Sequence, residues 1–180
     1  TDGPLSEAGV RLLKEFQRIG MVLDVTHLSD ESFAHALDVY DGPMMASHHN
    51  CRALVPGERQ LNDEQIKKLL SRDAIIGTAF DAWMLYPGWK RGETDPRLVK
   101  IQDAANHIDH ICQLAGNTRH CAIGSDLDGG FGTEQAPGDL NTITDLHKLE
   151  NTLAGRGYSA TDIDAIFFGN WLRFFTSTLP

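Results

Sequence analysis

The sequence predicts an α/β chain in which four parallel strands alternate with helices, half of an eight-stranded (β/α)8 barrel. Short apolar runs of strand type recur four times, each followed by a loop and a segment of helical period. Two of these runs end in a histidine, at Thr26-His27 and at Ser47-His48. The 180 residues suffice for one domain with a core, but a closed barrel typically takes about 250. Four strands would also fit a small open sheet. The first strand already reads as buried, so another element should pack beside it, which favours the half-barrel.

The elements follow in order. Ser6 to Arg18 reads as a helix, with Val10, Leu12, Leu13, Phe16 and Ile19 near helical spacing and Gly20 as its stop. Met21–Val25 is the first strand. Asp30 to Val39 is a helix carrying Phe33, Ala34 and Leu37 on one side. Asp41-Gly42-Pro43 is a turn into the second strand, Met44–Ser47. After a loop over 49–61, Asn62 caps a helix through Leu70, with Gln65 completing a capping box and Ile66, Leu69 and Leu70 on the buried face. Ala74–Phe80 is nearly continuous in apolar residues, as suits a strand covered on both faces. A loop of large side chains, Asp81 to Trp89, precedes a long helix over Leu98–Leu114. Cys121–Ser125 is the fourth strand. Helices over Thr142–Leu153 and Thr161–Phe175 close the chain, the last opened by Ser159 and Asp162. No composition shift, linker or repeat divides residues 1–180.

A net charge of -9 and a pI near 5.2 argue against nucleic acid or an anionic membrane as the main partner. The cysteines, Cys51, Cys112 and Cys121, show no CxxC spacing and suggest neither a disulfide framework nor a thiolate zinc site. No apolar run approaches the roughly 20 residues of a membrane span. No leader is visible, so a cytoplasmic location is expected. The start at Thr-Asp-Gly-Pro, without Met, suggests a fragment or a processed product.

Parallel α/β folds carry their chemistry at the carboxyl ends of the strands. His27 and His48, at successive strand ends, would face one site and are the candidate metal ligands. Two ligands are too few for a zinc site, which wants four, or three and a water, so others must come from elsewhere. His49 ranks below His48, because a neighbour on a strand points the other way. Asp126 and Asp128 follow the fourth strand in GSDLDGG. They are either turn formers or a general base, and Asp126, nearer the strand, is the better base. Arg59 is either a solvated charge or, with its loop folded over the strand ends, a clamp for a substrate carboxylate. His107, Asp109 and His110 lie in a helical period, which favours packing or surface roles over a metal motif. Trp83, Tyr86 and Trp89 form either a pocket wall or a contact surface.

GMVLDVTHLSD (20–30), PMMASHHNCRAL (43–54), RQLNDEQI (59–66), IIGTAF (75–80), HIDHICQLAG (107–116) and AIGSDLDGG (122–130) occur in one order along the chain. With them, the chain from Leu5 to Phe175 resembles the C-terminal half of the membrane (renal) dipeptidase family, binuclear zinc enzymes of the amidohydrolase superfamily. The resemblance implies the second half of a TIM-type barrel, these being its last four strands. It implies that His27 and His48 bind one zinc of a pair, that Arg59 holds the substrate's C-terminal carboxylate, and that Asp126 is the acid/base. It implies hydrolysis of dipeptides, often with a C-terminal D-residue, or of other small N-acyl amino acids. SHHN at 47–50 departs from the more usual SHSN. The family's strand-end HxD, its bridging glutamate and a further substrate-contacting histidine belong to the N-terminal half. The chain is therefore expected to be inactive alone, with that half as its partner, and a homo-oligomer is compatible with it. The alternative from another class is a non-catalytic barrel fragment used in protein association.

Overall fold

The computed structural model describes residues 2–179. Helix α1 (Glu7–Ile19) leads into β1 (Leu23–Asp24), α2 (Asp30–Val39), β2 (Met44–Ala46), α3 (Asp63–Ser71) and β3 (Ile75–Thr78). A short helix α4 (Ala82–Leu85), the long α5 (Ile101–Ala115) and β4 (Cys121–Ile123) follow. Helices α6 (Lys148–Gly155), α7 (Ala160–Asp164) and α8 (Asn170–Thr178) complete the chain. The sheet order is β1-β2-β3-β4, every pair parallel, with Leu23 opposite Met44, Met45 opposite Ile75 and Ile76 opposite Cys121. This is the four-unit β/α half-barrel that the periodicity predicted.

Strand alternation sorts the side chains into two layers. Leu23, Met44, Ala46, Ile76 and Cys121 join the main core with Phe33, Ile66, Leu69, Ile108 and Ile111 of the helices. Val22, Met45, Ile75 and Ala122 face the other way and pack against Trp171, Phe174 and Phe175. Helix α8 also closes the outer edge of β4. The Asn170 amide donates to the Cys121 carbonyl at 2.8 Å, and the Trp171 indole N–H to that of Ile123 at 2.9 Å. Pairing those carbonyls removes the desolvation cost they would carry at a covered edge.

The helix starts follow the capping logic. Ser6, Ser29 and Ser159 each accept a backbone N–H of the first turn, and Asn62 with Gln65 forms the expected capping box. The strands are shorter than predicted because their ends turn sharply. Asp24 Oδ1 takes the Thr26 N–H at 3.0 Å, and His27 and Asp126 adopt left-handed backbone with φ of 71° and 56°. The predicted helix over Thr142–Leu153 is instead a 3-10 segment, Ile143–His147, followed by α6. The Asp145 carboxylate draws the Asn141 and Thr142 N–H groups onto itself at 2.9 and 2.8 Å, tightening that first turn. The last predicted helix is interrupted by a π segment at Ala165–Gly169. Helix α5 starts at Ile101, not Leu98, because Asp139 and Asp103 receive the Ile101 and Lys100 N–H groups there. Among the described residues no helix is long and apolar enough to cross a membrane.

Candidate active site

The polar residues converge at the C-terminal ends of the strands. Asp24 Oδ1 accepts the Ser47 N–H at 3.0 Å as well as that of Thr26, tying the ends of β1 and β2 together. The Thr26 hydroxyl accepts the His48 N–H at 3.3 Å. His27 and His48 thereby meet with their Nε2 atoms 3.1 Å apart and their rings at 66°. The far nitrogen of His48, Nδ1, lies 2.8 Å from the Ser47 hydroxyl, which orients the ring.

The strand ends also approach one another closely. A Cβ on Gly77 or on Gly124 would collide with the Ser47 carbonyl oxygen. Glycine at both positions lets the backbone at Gly77 and Gly124 pack directly on the Ser47 carbonyl.

Asp126, beyond β4, sets Oδ1 4.0 Å from His48 Nε2. Arg59 reaches over the same strand ends, and its Nη2 donates to the His48 carbonyl at 3.1 Å. Among the described residues its buried Nη1 has no hydrogen-bond partner. Burial depresses the Arg59 pKa, while the charges of Asp126, Asp24 and Asp81 oppose that shift. Burial also lowers the His48 pKa against the opposing Asp126 charge, with the Arg59 charge acting in the same direction as burial, which favours the neutral imidazole that a metal ligand requires.

The loop over 49–61 holds Arg59 in place through its own buried bonds. The Asn50 side chain donates to the carbonyls of Ala79 and Met84 at 3.1 and 3.2 Å and accepts the Ala79 N–H at 3.0 Å. The Cys51 N–H donates to His107 Nδ1 at 3.0 Å. Arg52 grips Asp30 with both Nη atoms at 2.9 and 2.8 Å.

The other candidates divide. His49 is buried, its N–H donates to the Gly77 carbonyl, and its Nδ1 has no partner among the described residues. Burial, with the neighbouring Arg59 charge, pushes its pKa down to about 3. Asp128 is exposed and adopts a left-handed turn conformation. His107 is buried within α5, while His110 meets Asp63 at 2.8 Å and Asp109 accepts the Tyr158 hydroxyl at 2.6 Å. All three serve packing and helix contacts. Tyr86 and Trp89 pack against the main core, and Trp83 is partly exposed.

Asp81 is the polar residue at the end of β3 that the sequence reading assigned only to a loop. Its carboxylate is buried and receives the Trp83 indole N–H at 2.8 Å and the Gln135 amide at 2.9 Å. Burial raises its pKa. The signal was available, because Asp81 follows a strand-type run just as His27, His48 and Asp126 do.

Facing Nε2 atoms fit one metal ion. Two ligands of a tetrahedral zinc at about 2.0–2.1 Å stand about 3.3–3.4 Å apart, and the histidine nitrogens are at 3.1 Å. Among the described residues no group of three or more His, Cys, Asp or Glu side chains is arranged to hold a metal by itself.

Two histidines, an aspartate and an arginine thus gather at the strand ends of a half-barrel. The chain matches the membrane dipeptidase family (Peptidase family M19) over residues 1–178, and it belongs to that family. It is 31% identical, over 95% of its length and 60% of the relative's, to an uncharacterized protein in the pqqA 5' region of Klebsiella pneumoniae. It is 32% identical to the dipeptidase aclJ of Aspergillus oryzae, covering 95% of this chain and 38% of that one. It superposes with a TM-score of 0.87 and 27% identity on a metallopeptidase from Rhodobacter sphaeroides liganded with a phosphinate mimic of the dipeptide L-Ala-D-Ala. That superposition covers 99% of this chain and 48% of the other, so the chain spans about half of the solved relative.

Proposed function

We propose that this chain supplies half of the active site of a zinc-dependent dipeptidase that cleaves dipeptides, including those with a C-terminal D-residue. The observation that carries the reading is the 3.1 Å approach of His27 Nε2 to His48 Nε2, with Asp126 and Arg59 on the same strand ends. Family membership supports the reaction class, and the L-Ala-D-Ala mimic bound by the Rhodobacter relative supports the substrate class.

When bound, a metal pair lowers the pKa of a shared water and polarises the scissile carbonyl. His27 and His48 would hold one ion of that pair through Nε2, and the Ser47 hydroxyl keeps the His48 ring in line. Asp126 accepts a proton at its carboxylate from the attacking water and returns it to the leaving amine. The free Nη1 of Arg59 pairs with the substrate carboxylate, and Asp81 and Asp126 keep that arginine charged in its buried setting.

The remaining ligands are assigned to the first four β/α units of the barrel. The chain's coverage of about half of its solved relative supports this, as do β1 at the end of the sheet and the exposed Phe168 and Leu172. The test is an L-Ala-D-Ala hydrolysis assay on this chain alone and on a protein that carries it together with a first half. Turnover only by the joined protein, abolished by Asp126→Asn, is expected. Turnover by the chain alone would contradict the half-site.

A further inference from the structure

Cys112 on α5 and Cys121, the first residue of β4, lie with their Sγ atoms 3.2 Å apart. Both thiols are free, and the third cysteine, Cys51, instead points its sulfur at the His107 carbonyl. A disulfide needs an S–S distance of about 2.05 Å, which is a small side-chain closure from 3.2 Å.

The thiols differ in access. Cys121 is fully enclosed by the core. Cys112 is also buried, at 5% exposure, but it lines a surface cavity of about 340 Å³ with Thr118, Arg156, Tyr158 and Asp162. They differ in acidity in the same sense. The Cys121 thiol beside it lowers the Cys112 pKa against the opposing effect of burial, whereas burial pushes that of Cys121 up. Of the two sulfurs, that of Cys112 is the one beside a cavity open to small solutes.

We propose that Cys112 is the site of attack on a small hydroperoxide entering this cavity, and that Cys121 resolves the product as an intramolecular disulfide. The Cys112 thiolate attacks one peroxide oxygen. An S–O bond forms, the O–O bond breaks, and the departing hydroxide takes up the former thiol proton as water. The Cys121 sulfur then attacks the Cys112 sulfur. An S–S bond forms, the S–O bond breaks, and a second water leaves with the Cys121 proton. Two thiols are oxidised by two electrons in total, and hydrogen peroxide is reduced to two waters. The bond pins the end of α5 to the start of the strand whose far end delivers Asp126.

The test treats the purified chain with hydrogen peroxide, unfolds it, alkylates it with iodoacetamide and maps the peptides. The expected product is about 2 Da lighter before alkylation, carries the label on Cys51 alone, and yields a Cys112–Cys121 cross-linked peptide that dithiothreitol abolishes. With Cys121→Ser, dimedone is expected to trap a sulfenic acid at Cys112. With Cys112→Ser, Cys121 is expected to stay reduced. Full labelling of Cys51, Cys112 and Cys121 after peroxide overturns the proposal, and so does oxidation confined to Cys51. The wild-type map decides even if a variant fails to fold, and because it reads thiols alone it stands apart from the dipeptidase reading.

Discussion

His27 and His48, 21 residues apart, bring their Nε2 atoms to 3.1 Å across the ends of two adjacent parallel strands. Left-handed backbone at His27 turns its ring back over the sheet, and the Ser47 hydroxyl fixes the ring of His48. A shared ion is the use proposed for these two nitrogens.

Arg59→Ala in the joined protein is expected to raise KM for L-Ala-D-Ala more than it lowers kcat. A hydrogen bond to a charged group contributes about 1.5–3 kcal/mol, a factor of about 10 to 150. Steady-state kinetics check this, and an unchanged KM would remove Arg59 from the substrate.

Asp126→Asn in the same protein is expected to lower kcat by about 10²–10⁴, the usual contribution of a positioned acid/base. Zinc content by elemental analysis should stay as in the wild type. Loss of zinc would make Asp126 a ligand.

Asn50→Ala is expected to destabilise the fold by about 2–4 kcal/mol, since it takes the Asn50 partner from both the buried Ala79 N–H and the Ala79 carbonyl, while the Met84 carbonyl keeps the Gln60 amide. The three bonds at stake are those to Ala79 and Met84. Denaturant unfolding measures the loss, and a change below about 0.5 kcal/mol would show that other groups take over these bonds.

Burial holds the His107 pKa down at about 3 in the folded chain. Unfolded, it titrates near 6.5, so between these values the unfolded chain binds the extra proton. Its contribution is fully present above about pH 6.5 and is lost as pH falls toward the folded value of about 3. The slope is at most about 1.4 kcal/mol per pH unit. Unfolding free energies of the wild type and of His107→Gln, measured across that window, should converge toward acid pH. Parallel curves would mean that the ring protonates in place.

Much of this arrangement was legible in the residues. The strand-type runs ending at His27 and His48 located two of the site's side chains, because parallel strands deliver their last residues to one face. Helical period at Ile101, Ala105, Ile108 and Ile111 separated His107 and Asp109 from a metal motif, and the structure has His107 buried in α5. Asp81 escaped because its loop was dominated by large aromatic side chains, and its burial depends on Gln135, 54 residues away. The Cys112–Cys121 approach escaped for a similar reason, since it depends on how α5 lies on β4 rather than on any local spacing. The breaks at Ile143–His147 and Ala165–Gly169 arise from local carboxylate bonding and from the way α8 seats on the edge of β4, which apolar periodicity does not encode.

The most direct measurement is zinc binding to the purified chain by equilibrium dialysis, in the wild type and in His27→Ala and His48→Ala. The account predicts one weakly held ion per chain, lost in both variants alike while the far-ultraviolet circular dichroism stays unchanged. Zinc binding that survives the loss of either histidine, or no binding in the wild type at any accessible concentration, would contradict it.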